Sequence, residues 1–481
     1  MQRILTAEQM KSADRFTIDN LGVSEDELIN RAGTAVAEEI IKRFKGGRVL
    51  VCIGKGNNGK DGQVIAEILT RKHGFSVVVI NISNGIFKLF DKKYDIIVDC
   101  LFGTGLNREV EGKYKKAIEK INDSGSFVVS CDIPSGVNGT SGKVMGIAVK
   151  ANLTVAIQEL KLGHFINDGI DYSGEVVVKD IGISIWGDDF VKRLNNDSVS
   201  RYFNKRARNS HKGNYGKCAI IGGSRDYSGS IILSATALSA FKMGVGYVNV
   251  LVPESLFSAY VGKTPECILT SVKDTSGYMQ FDEIALEKIL SYDSIAVGMG
   301  MGCQKGTYDI ICYLLKNYKG KLIIDADGLN SLSKFGIEIL KDKQCEVVLT
   351  PHLGEFVRLS NLKKEIIQQN TIDIVADFAR HNGVTLLLKN AVSTISNGEE
   401  TFINIKGSAG MAKAGSGDVL SGIIAGIVAA NVNESLCETV AAACYVFGHT
   451  GEIVERKQNV FTMTASDLIM AIPEAINQII H

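Results

Sequence analysis

One carboxylate, set by a glycine-rich turn at the start of an apolar helix, is the strongest chemical signal in this chain. Residues 407–422 read GSAGMAKAGSGDVLSG and continue as IIAGIVAA, which places Asp418 where a helix begins. The first turn of a helix offers backbone N–H donors without partners inside the helix, and the macrodipole is positive there, so such a turn is an anion hole. A carboxylate beside an anion hole supplies what phosphoryl transfer to a hydroxyl requires: a base for the hydroxyl and donors for the phosphate. The plainer reading of Asp418 is a helix N-cap, a position that favours Asp. A second glycine-rich turn, GKGNNGKDG at 54–62, follows an apolar run far upstream. Two such turns point to two active sites on one polypeptide.

The elements that must position them alternate in type. In the first part of the chain, residues 48–53, 76–81, 95–99, 127–132, 153–157 and 175–179 are short runs rich in Val and Ile and read as strands. Segments 61–72 and 113–122 read as helices between some of them. Strand–helix alternation implies an α/β fold with a mostly parallel sheet covered on both faces. Residues 186–208 are polar, lack apolar periodicity and read as a linker. The alternation then restarts with predicted strands at 217–221, 247–252, 294–298, 321–325, 346–349 and 385–388, and three helical stretches follow Asp418. The two halves are read as domains 1–200 and 201–481.

Composition narrows the class. The chain has 481 residues, enough for two or three domains that each bury a core. Lys plus Arg equal Asp plus Glu at 53 each, so no global field favours nucleic acid or a membrane surface. Ten cysteines are scattered without CxxC spacing, which fits a reducing cytoplasm and argues against a metal site built on them. No run approaches the roughly 18 apolar residues of a membrane span. The first residues lack the charged-then-apolar pattern of a signal peptide.

In the first half, three polar clusters sit at predicted strand ends. The 54–62 turn follows one strand, Asp99 and then GTG at 103–105 follow another, and Asp132 and then IPSG at 133–136 follow a third. Ligands of open α/β sheets bind at the carboxyl ends of strands. This set, GKGNNGKDG, VDCLFGTGL at 98–106 and DIPSG at 132–136, resembles the NAD(P)H-hydrate epimerase domain over residues 1–190 or so. The resemblance implies a Rossmann-like three-layer fold that interconverts the R and S forms of hydrated NADH and NADPH at C6. It assigns substrate contacts to Asn57, Asn58, Gly59, Lys60 and Asp61, and to Gly103, Thr104, Gly105, Leu106, Asn107, Arg108 and Glu109. It makes Asp132 the acid/base on the C6 hydroxyl and gives a potassium ion to Asn58, Asp99 and Ser135, whose hard oxygens suit such a cation. Lys60 stands where the family usually has glycine, which is costly if the position needs a left-handed backbone; alternatively, Lys60 meets a substrate phosphate.

In the second half, HKGNYG at 211–216 leads into a strand ending IGGS at 221–224. GMGMG at 298–302, DADGLN at 325–330 and TPHLGEF at 350–356 each follow a strand, and the GSGD turn comes last. Turns of this kind after successive strands point to a shared ligand site. The set resembles the ADP- or ATP-dependent NAD(P)H-hydrate dehydratase, a member of the ribokinase-like fold, over residues 205–481 or so. The resemblance implies phosphorylation of the C6 hydroxyl of the S form, then loss of phosphate to restore the C5=C6 double bond. It makes Asp418 the base and forms the anion hole from Gly415, Ser416 and Gly417. It gives substrate contacts to Ser230, Gly302 and His352, and nucleotide contacts to Lys389, Asn390, Ala391, Val392, Ser393 and Gly417. Read as residues alone, His352 fits a turn and Lys389 a solvated lysine. Asp325 and Asp327 either cap a loop or hold Mg²⁺ through water. Ser230 stands where the family often has alanine, and Ala414 and Ser416 where glycine and threonine are common. Lys413 is unusual there and is read as adding charge near the nucleotide.

The expected partners are hydrated NADH and NADPH with ADP or ATP as the Mg²⁺ complex, and a cytoplasmic homo-oligomer is expected. Two rivals remain at this stage. The second half fits a small-molecule kinase, since the GSGD turn is shared across the ribokinase-like fold. The first half fits a non-catalytic binding module.

Overall fold

The computed structural model describes residues 1–84, 90, 92–187, 189–235 and 242–481. By contact density the chain divides into two compact units, Gln2–Val191 and Lys192–His481.

The N-terminal unit is a six-stranded parallel sheet. Its strands are β1 (Gly47–Ile53), β2 (Phe75–Asn81), β3 (Ile96–Cys100), β4 (Phe127–Cys131), β5 (Leu153–Ile157) and β6 (Glu175–Lys179), in spatial order β2-β1-β3-β4-β5-β6. Apolar runs such as VLVCI and IIV form buried parallel strands because both faces are covered. Val49, Val51, Ile96 and Val98 pack with α1 (Ala7–Leu21), α2 (Glu25–Arg43) and α3 (Asn57–Arg71). Their neighbours Leu50, Cys52, Ile97 and Val128 face the other way, toward α4 (Gly112–Asn122). The result is three layers with α3 pressed onto α2, where a Cβ on Gly33 would lie 2.6 Å from that of Val64. The chain goes from β1 outward to β2 and returns to β3 on the other side of β1. The switch point therefore lies at the carboxyl ends of β1 and β3, where ligands bind in such sheets. Apart from that sheet, Ile4 and Leu5 pair in parallel with Leu160 and Lys161, a ribbon too short to show as a periodic run.

The C-terminal unit repeats the plan with other connections. Its strands are β7 (Lys217–Ile221), β8 (Tyr247–Pro253), β9 (Ile268–Val272), β10 (Ser294–Val297), β11 (Lys321–Ile324), β12 (Glu346–Leu349), β13 (Thr385–Leu388), β14 (Ser393–Ser396) and β15 (Thr401–Asn404). They lie in the order β9-β8-β7-β10-β11-β12-β13-β14-β15, parallel as far as β13 and antiparallel from there to β15. The helices of this unit include α5 (Ser228–Ala235), α6 (Lys305–Asn317), α7 (Asp327–Phe335), α8 (Leu353–Ser360), α9 (Thr371–Asn382), α10 (Ser416–Ala430), α11 (Leu436–Lys457) and α12 (Ala465–Ile480). One face of the sheet carries α10, α11 and α12, and the other carries α6 to α9. Helix α10 is apolar almost all round and correspondingly buried.

Two sequence expectations change here. The stretch 186–208, read as a linker, contains a strand, Val191–Arg193, in which Lys192 pairs with Phe402. It also contains a helix, Asn196–Ser200, capped by Asn195, and it buries Leu194, Val199 and Tyr202. These elements are shorter than the window in which periodicity can register. Strand β9 was not foreseen because ILTSV is a half-exposed edge, with Ile268 open to solvent.

Seven of the ten cysteines are buried and all ten are free thiols.

The turns after β10 and β11 touch. Gly298 has φ +123°, and a Cβ there would stand 2.0 Å from the Asp325 carbonyl oxygen. Gly298→Ala is expected to destabilise the C-terminal unit by about 2–4 kcal/mol, combining a disallowed backbone with a clash against main chain. Denaturant unfolding followed separately for each unit checks this, with the N-terminal transition unmoved.

Candidate active sites

At the switch point of the N-terminal unit lies a cleft of about 760 Å³. Asn57, Asn58, Asp61, Gly103, Thr104, Gly105, Leu106, Asn107, Arg108 and Asp132 all line it. Gly59, Lys60 and Glu109 do not. Gly59 is buried where a Cβ would come 2.2 Å from the Gly54 carbonyl oxygen, so it shapes the turn. Lys60 and Glu109 are exposed. Lys60 sits in helix α3 outside the left-handed region, so replacing the family's glycine has no backbone cost.

Asp132 follows β4 in the left-handed region, φ +67°. Its Oδ1 accepts from the Ile157 N–H at 3.0 Å and from the Lys161 ammonium. Lys161 is fully buried and also donates to the Ile157 carbonyl at 2.6 Å. His164 Nδ1 accepts from the Lys161 N–H at 3.1 Å, so Nε2 carries the proton and donates to the Asp132 carbonyl at 2.8 Å. Both backbone and carboxylate of Asp132 are thus fixed, and no hydrogen bond to a described residue engages Oδ2. Sequence reading missed Lys161, because a lysine after a strand reads as solvated; its only signal is the short pairing with Leu5.

Two further carboxyls enter the cleft. Burial pushes Asp61 up to about 8, with the negative charges of Asp132 and Asp14 adding and Lys60 opposing. Burial and Asp132 push Asp14 up to about 6 against Lys161.

Asp99 is fully buried behind the cleft. Its oxygens accept from Ser130 Oγ at 2.9 Å, Ser135 N at 2.8 Å, Ser135 Oγ at 2.6 Å and Leu101 N at 3.3 Å. Burial raises it even so, and none of these four donors carries a charge. Asn58 donates its amide N–H groups to the Phe102 and Cys131 carbonyls, both at 3.0 Å, which fixes its orientation. Its Oδ1 is then buried with no partner. An orphaned amide oxygen beside serine and carboxylate oxygens fits a hard monovalent cation.

In the C-terminal unit, Asp418 lies in the first turn of α10, after Gly415 at φ +89°. Burial and the charge of Asp325 push Asp418 up to about 7, against a hydrogen bond from Ser230 and the charge of Lys389; Asp327 adds to the rise. Lys389 bonds Asp325 at 2.8 Å, and Ser421 Oγ bonds the other Asp325 oxygen at 2.5 Å. Burial alone would raise Asp325, but Lys389 holds it below the ordinary carboxylate range. The Lys389 ammonium stands beside the helix terminus, 3.5 Å from where a Gly417 Cβ would be. Ser416 is buried and its N–H donates to the Lys413 carbonyl at 3.4 Å, so the amides of Gly415 and Gly417 and one ammonium are what this turn offers an anion.

The remaining predicted residues connect to it through Lys389 and Asp327. His352 caps α8: its Nδ1 accepts from the Gly354 and Glu355 N–H groups, and Glu355 accepts from the His352 N–H at 2.8 Å. Burial, then Lys389 and Arg358, lower the imidazole, and with Nδ1 accepting, the ring proton sits on Nε2, 3.5 Å from Glu355 Oε1. Gly302 donates its N–H to Asp327 at 2.8 Å and has φ +79°. Asn390 to Ser393 form the turn after Lys389, closed by Ser393 Oγ on the Asn390 carbonyl at 3.3 Å. Asp325 and Asp327 are both engaged by protein donors, and no cluster of three metal-ligating His, Cys, Asp or Glu occurs among the described residues. Lys413 donates its ammonium to the carbonyls of Phe461 and Met463, tying the glycine-rich loop to 459–463.

Comparison with known proteins follows the same division. The family model described as NAD(P)H-hydrate dehydratase matches residues 218–474, and that described as YjeF-related protein N-terminus matches 25–87 and 80–163. The bifunctional NAD(P)H-hydrate repair enzyme Nnr of Thermofilum pendens is 32% identical, with 98% of this chain and 96% of the relative covered. That of Dictyoglomus turgidum is 32% identical over 100% of this chain and 99% of the relative. Among solved structures, a ribokinase-like superfamily protein of Enterococcus faecalis is 27% identical, with TM-score 0.51, 60% of this chain and 96% of that one covered. The ADP/ATP-dependent NAD(P)H-hydrate dehydratase of Bacillus subtilis, co-crystallised with ATP and Mg²⁺, is 23% identical with TM-score 0.51, over 60% of this chain and 99% of that one, a likeness of fold.

The Asp132–Lys161 pair gives a test that needs no substrate. Lys161→Met leaves a carboxylate without its buried cation and is expected to cost about 3–5 kcal/mol. Adding Asp132→Asn should recover at least about half of that loss, a coupling read from a double-mutant unfolding cycle.

Proposed function

The chain belongs to the family of bifunctional NAD(P)H-hydrate repair enzymes, and from that premise we infer that each cleft carries one half of the repair. The N-terminal cleft interconverts the R and S forms of hydrated NADH and NADPH. The C-terminal site dehydrates the S form at the expense of a nucleotide. The observation that supports the second assignment best is Asp418, a half-buried carboxyl pushed up to about 7, beside helix-terminal amides and the Lys389 ammonium.

Asp418 takes the proton of the C6 hydroxyl as that oxygen attacks the terminal phosphoryl group of ADP or ATP, bound as its Mg²⁺ complex. The amides of Gly415 and Gly417, with Lys389, take up the charge that develops on the phosphoryl oxygens, and that of Ser416 joins them by turning from the Lys413 carbonyl. Phosphate then leaves C6, a C5 proton is lost, and the C5=C6 double bond returns. Phosphorylation matters because hydroxide is a poor leaving group. Ser230 steers Asp418 through its hydrogen bond, His352 presents Nε2–H, and Gly302 leaves space against the Tyr278 ring. The turn at Asn390, Ala391, Val392 and Ser393 contacts the nucleotide.

In the N-terminal cleft, Asp132 Oδ2 works on the C6 hydroxyl while Lys161 and the Ile157 N–H hold Oδ1. Asn57 to Asp61 and Gly103 to Glu109 are the substrate-holding segments of this reading, and ten of the thirteen named residues, Asp132 included, line the cleft. Asn58, Asp99 and Ser135 would hold a potassium ion, whose charge would offset that of Asp99. Ten free thiols suit the reducing cytoplasm this reading carries, and a homo-oligomer belongs to the same reading.

The test is return of reduced-nicotinamide absorbance from mixed R and S hydrates with ADP or ATP and Mg²⁺. Wild type should restore all of it. Asp418→Asn should lose at least about 100-fold. Asp132→Ala should promptly recover the S fraction alone. The base must be ionised, so kcat/KM for dehydration should rise with pH up to about 7 and level off above it. A stable phosphorylated product without restored absorbance would instead make the C-terminal half a kinase.

A further inference from the structure

The N-terminal reaction moves a hydroxyl from one face of C6 to the other, so it needs a proton donor on one side and an acceptor on the other. Resting on the epimerase reading above, we propose that Asp61 is the second acid–base residue of this cleft, paired across the substrate with Asp132.

The two carboxyls reach one cleft from different elements: Asp61 from the start of α3, Asp132 from the end of β4. They are held differently. Asp132 is clamped at Oδ1 by Lys161 and the Ile157 N–H. Asp61 makes no side-chain hydrogen bond or ion pair with any described residue, although it is largely withdrawn from solvent. A half-buried carboxyl with no structural bond is free to exchange a proton with a ligand.

The surroundings fix which form each carboxyl takes. Asp14, Asp61 and Asp132 share the cleft, while the fully buried Lys161 ammonium is committed to Asp132. Toward Asp61 face Asp14 from α1, Asp132 from β4, the thiols of Cys100 and Cys131 from below, and Lys60, exposed, from its own helix. Glu25, Lys55 and Arg108 also line the cleft. Burial and the two neighbouring carboxylates keep Asp61 protonated to about 8, whereas Asp14, pushed up only to about 6, is mostly ionised at neutral pH.

In one direction, Asp61 gives its proton to the C6 hydroxyl. The C6–O bond breaks, water departs, and the N1 lone pair forms the C6=N1 iminium. Water then adds to the opposite face, forming a new C6–O bond and giving its proton to Asp132 Oδ2. The enzyme is left with the proton on Asp132 and not on Asp61, which is the form that runs the return direction. No atom or electron is gained or lost overall.

The experiment follows interconversion of purified R-hydrate, without nucleotide, against pH in wild type, Asp61→Asn, Asp61→Glu and Asp14→Asn. Wild type should lose activity as pH rises through about 8. Asp61→Asn should fall at least about 100-fold and lack that limb. Asp61→Glu should stay at least about tenfold above Asp61→Asn, and Asp14→Asn should keep the limb. Folding is checked on the same samples. An ionised Asp61 is penalised in the native state as pH rises from its ordinary 3.8 toward about 8, so Asp61→Asn should unfold no earlier than wild type at pH 8. Its C-terminal dehydration of S-hydrate should be unchanged. Asp61→Asn within about threefold of wild type, or with the limb intact, overturns the proposal. If Asp61→Asn does not fold, Asp61→Glu decides, and loss of the limb there has the same overturning force. A wild type that interconverts nothing removes the epimerase reading itself and this proposal with it.

Discussion

Everything at either site depends on what it costs to take a carboxylate out of water. Both units meet that cost in one way. A strand-end aspartate receives a lysine from a later strand end: Asp132 receives Lys161, and Asp325 receives Lys389. A second aspartate, in the first turns of a helix, has no cation of its own: Asp61 in one unit and Asp418 in the other. Removing an ion from water is so unfavourable that a buried charge must be paired or neutralised. The first aspartate of each unit lies against its lysine, while burial pushes the second, Asp61 or Asp418, up toward neutral pH. Two unrelated strand orders have arrived at one electrostatic arrangement.

The glycine-rich turns serve that arrangement by bringing main chain close. At Gly59 and Gly298 a Cβ would collide with a carbonyl oxygen, so the turns close only without side chains. Where the chain instead accepts a left-handed non-glycine residue after a strand, at Asp132 and Ala326, the neighbouring backbone fixes it. For Asp132 the His164 Nε2–H on its carbonyl is part of that restraint.

Much of this was legible in the amino-acid order. Strands β5, β7, β12 and β13 match the predicted spans because buried parallel strands are continuous apolar runs, and the half-exposed edge strand β6 matches through its run of three valines. The strand-end aspartates were visible because turn residues follow them at once. Lys161 and Asp14 were not. Lys161 owes its burial to a two-residue pairing with a segment more than 150 positions away, and no local window contains that information. Asp14 lies on a helix whose buried positions, Met10, Ala13 and Thr17, border it, so a polar neighbour on the edge of an apolar stripe was the available clue. The chain 186–208 looked like a linker because its ordered pieces are three and five residues long.

The distribution of thiols gives the molecule a reporter of its own opening. Cys52, Cys100 and Cys131 lie fully buried on three adjacent strands of the N-terminal sheet, where burial suppresses the reactive thiolate. The three partly accessible thiols, Cys267, Cys303 and Cys312, all belong to the other unit. An alkylating reagent therefore marks the C-terminal half of the intact molecule and reaches the N-terminal half only when its sheet comes apart. Mass spectrometry of the two sets of peptides would time the opening of each half separately, without any engineered label.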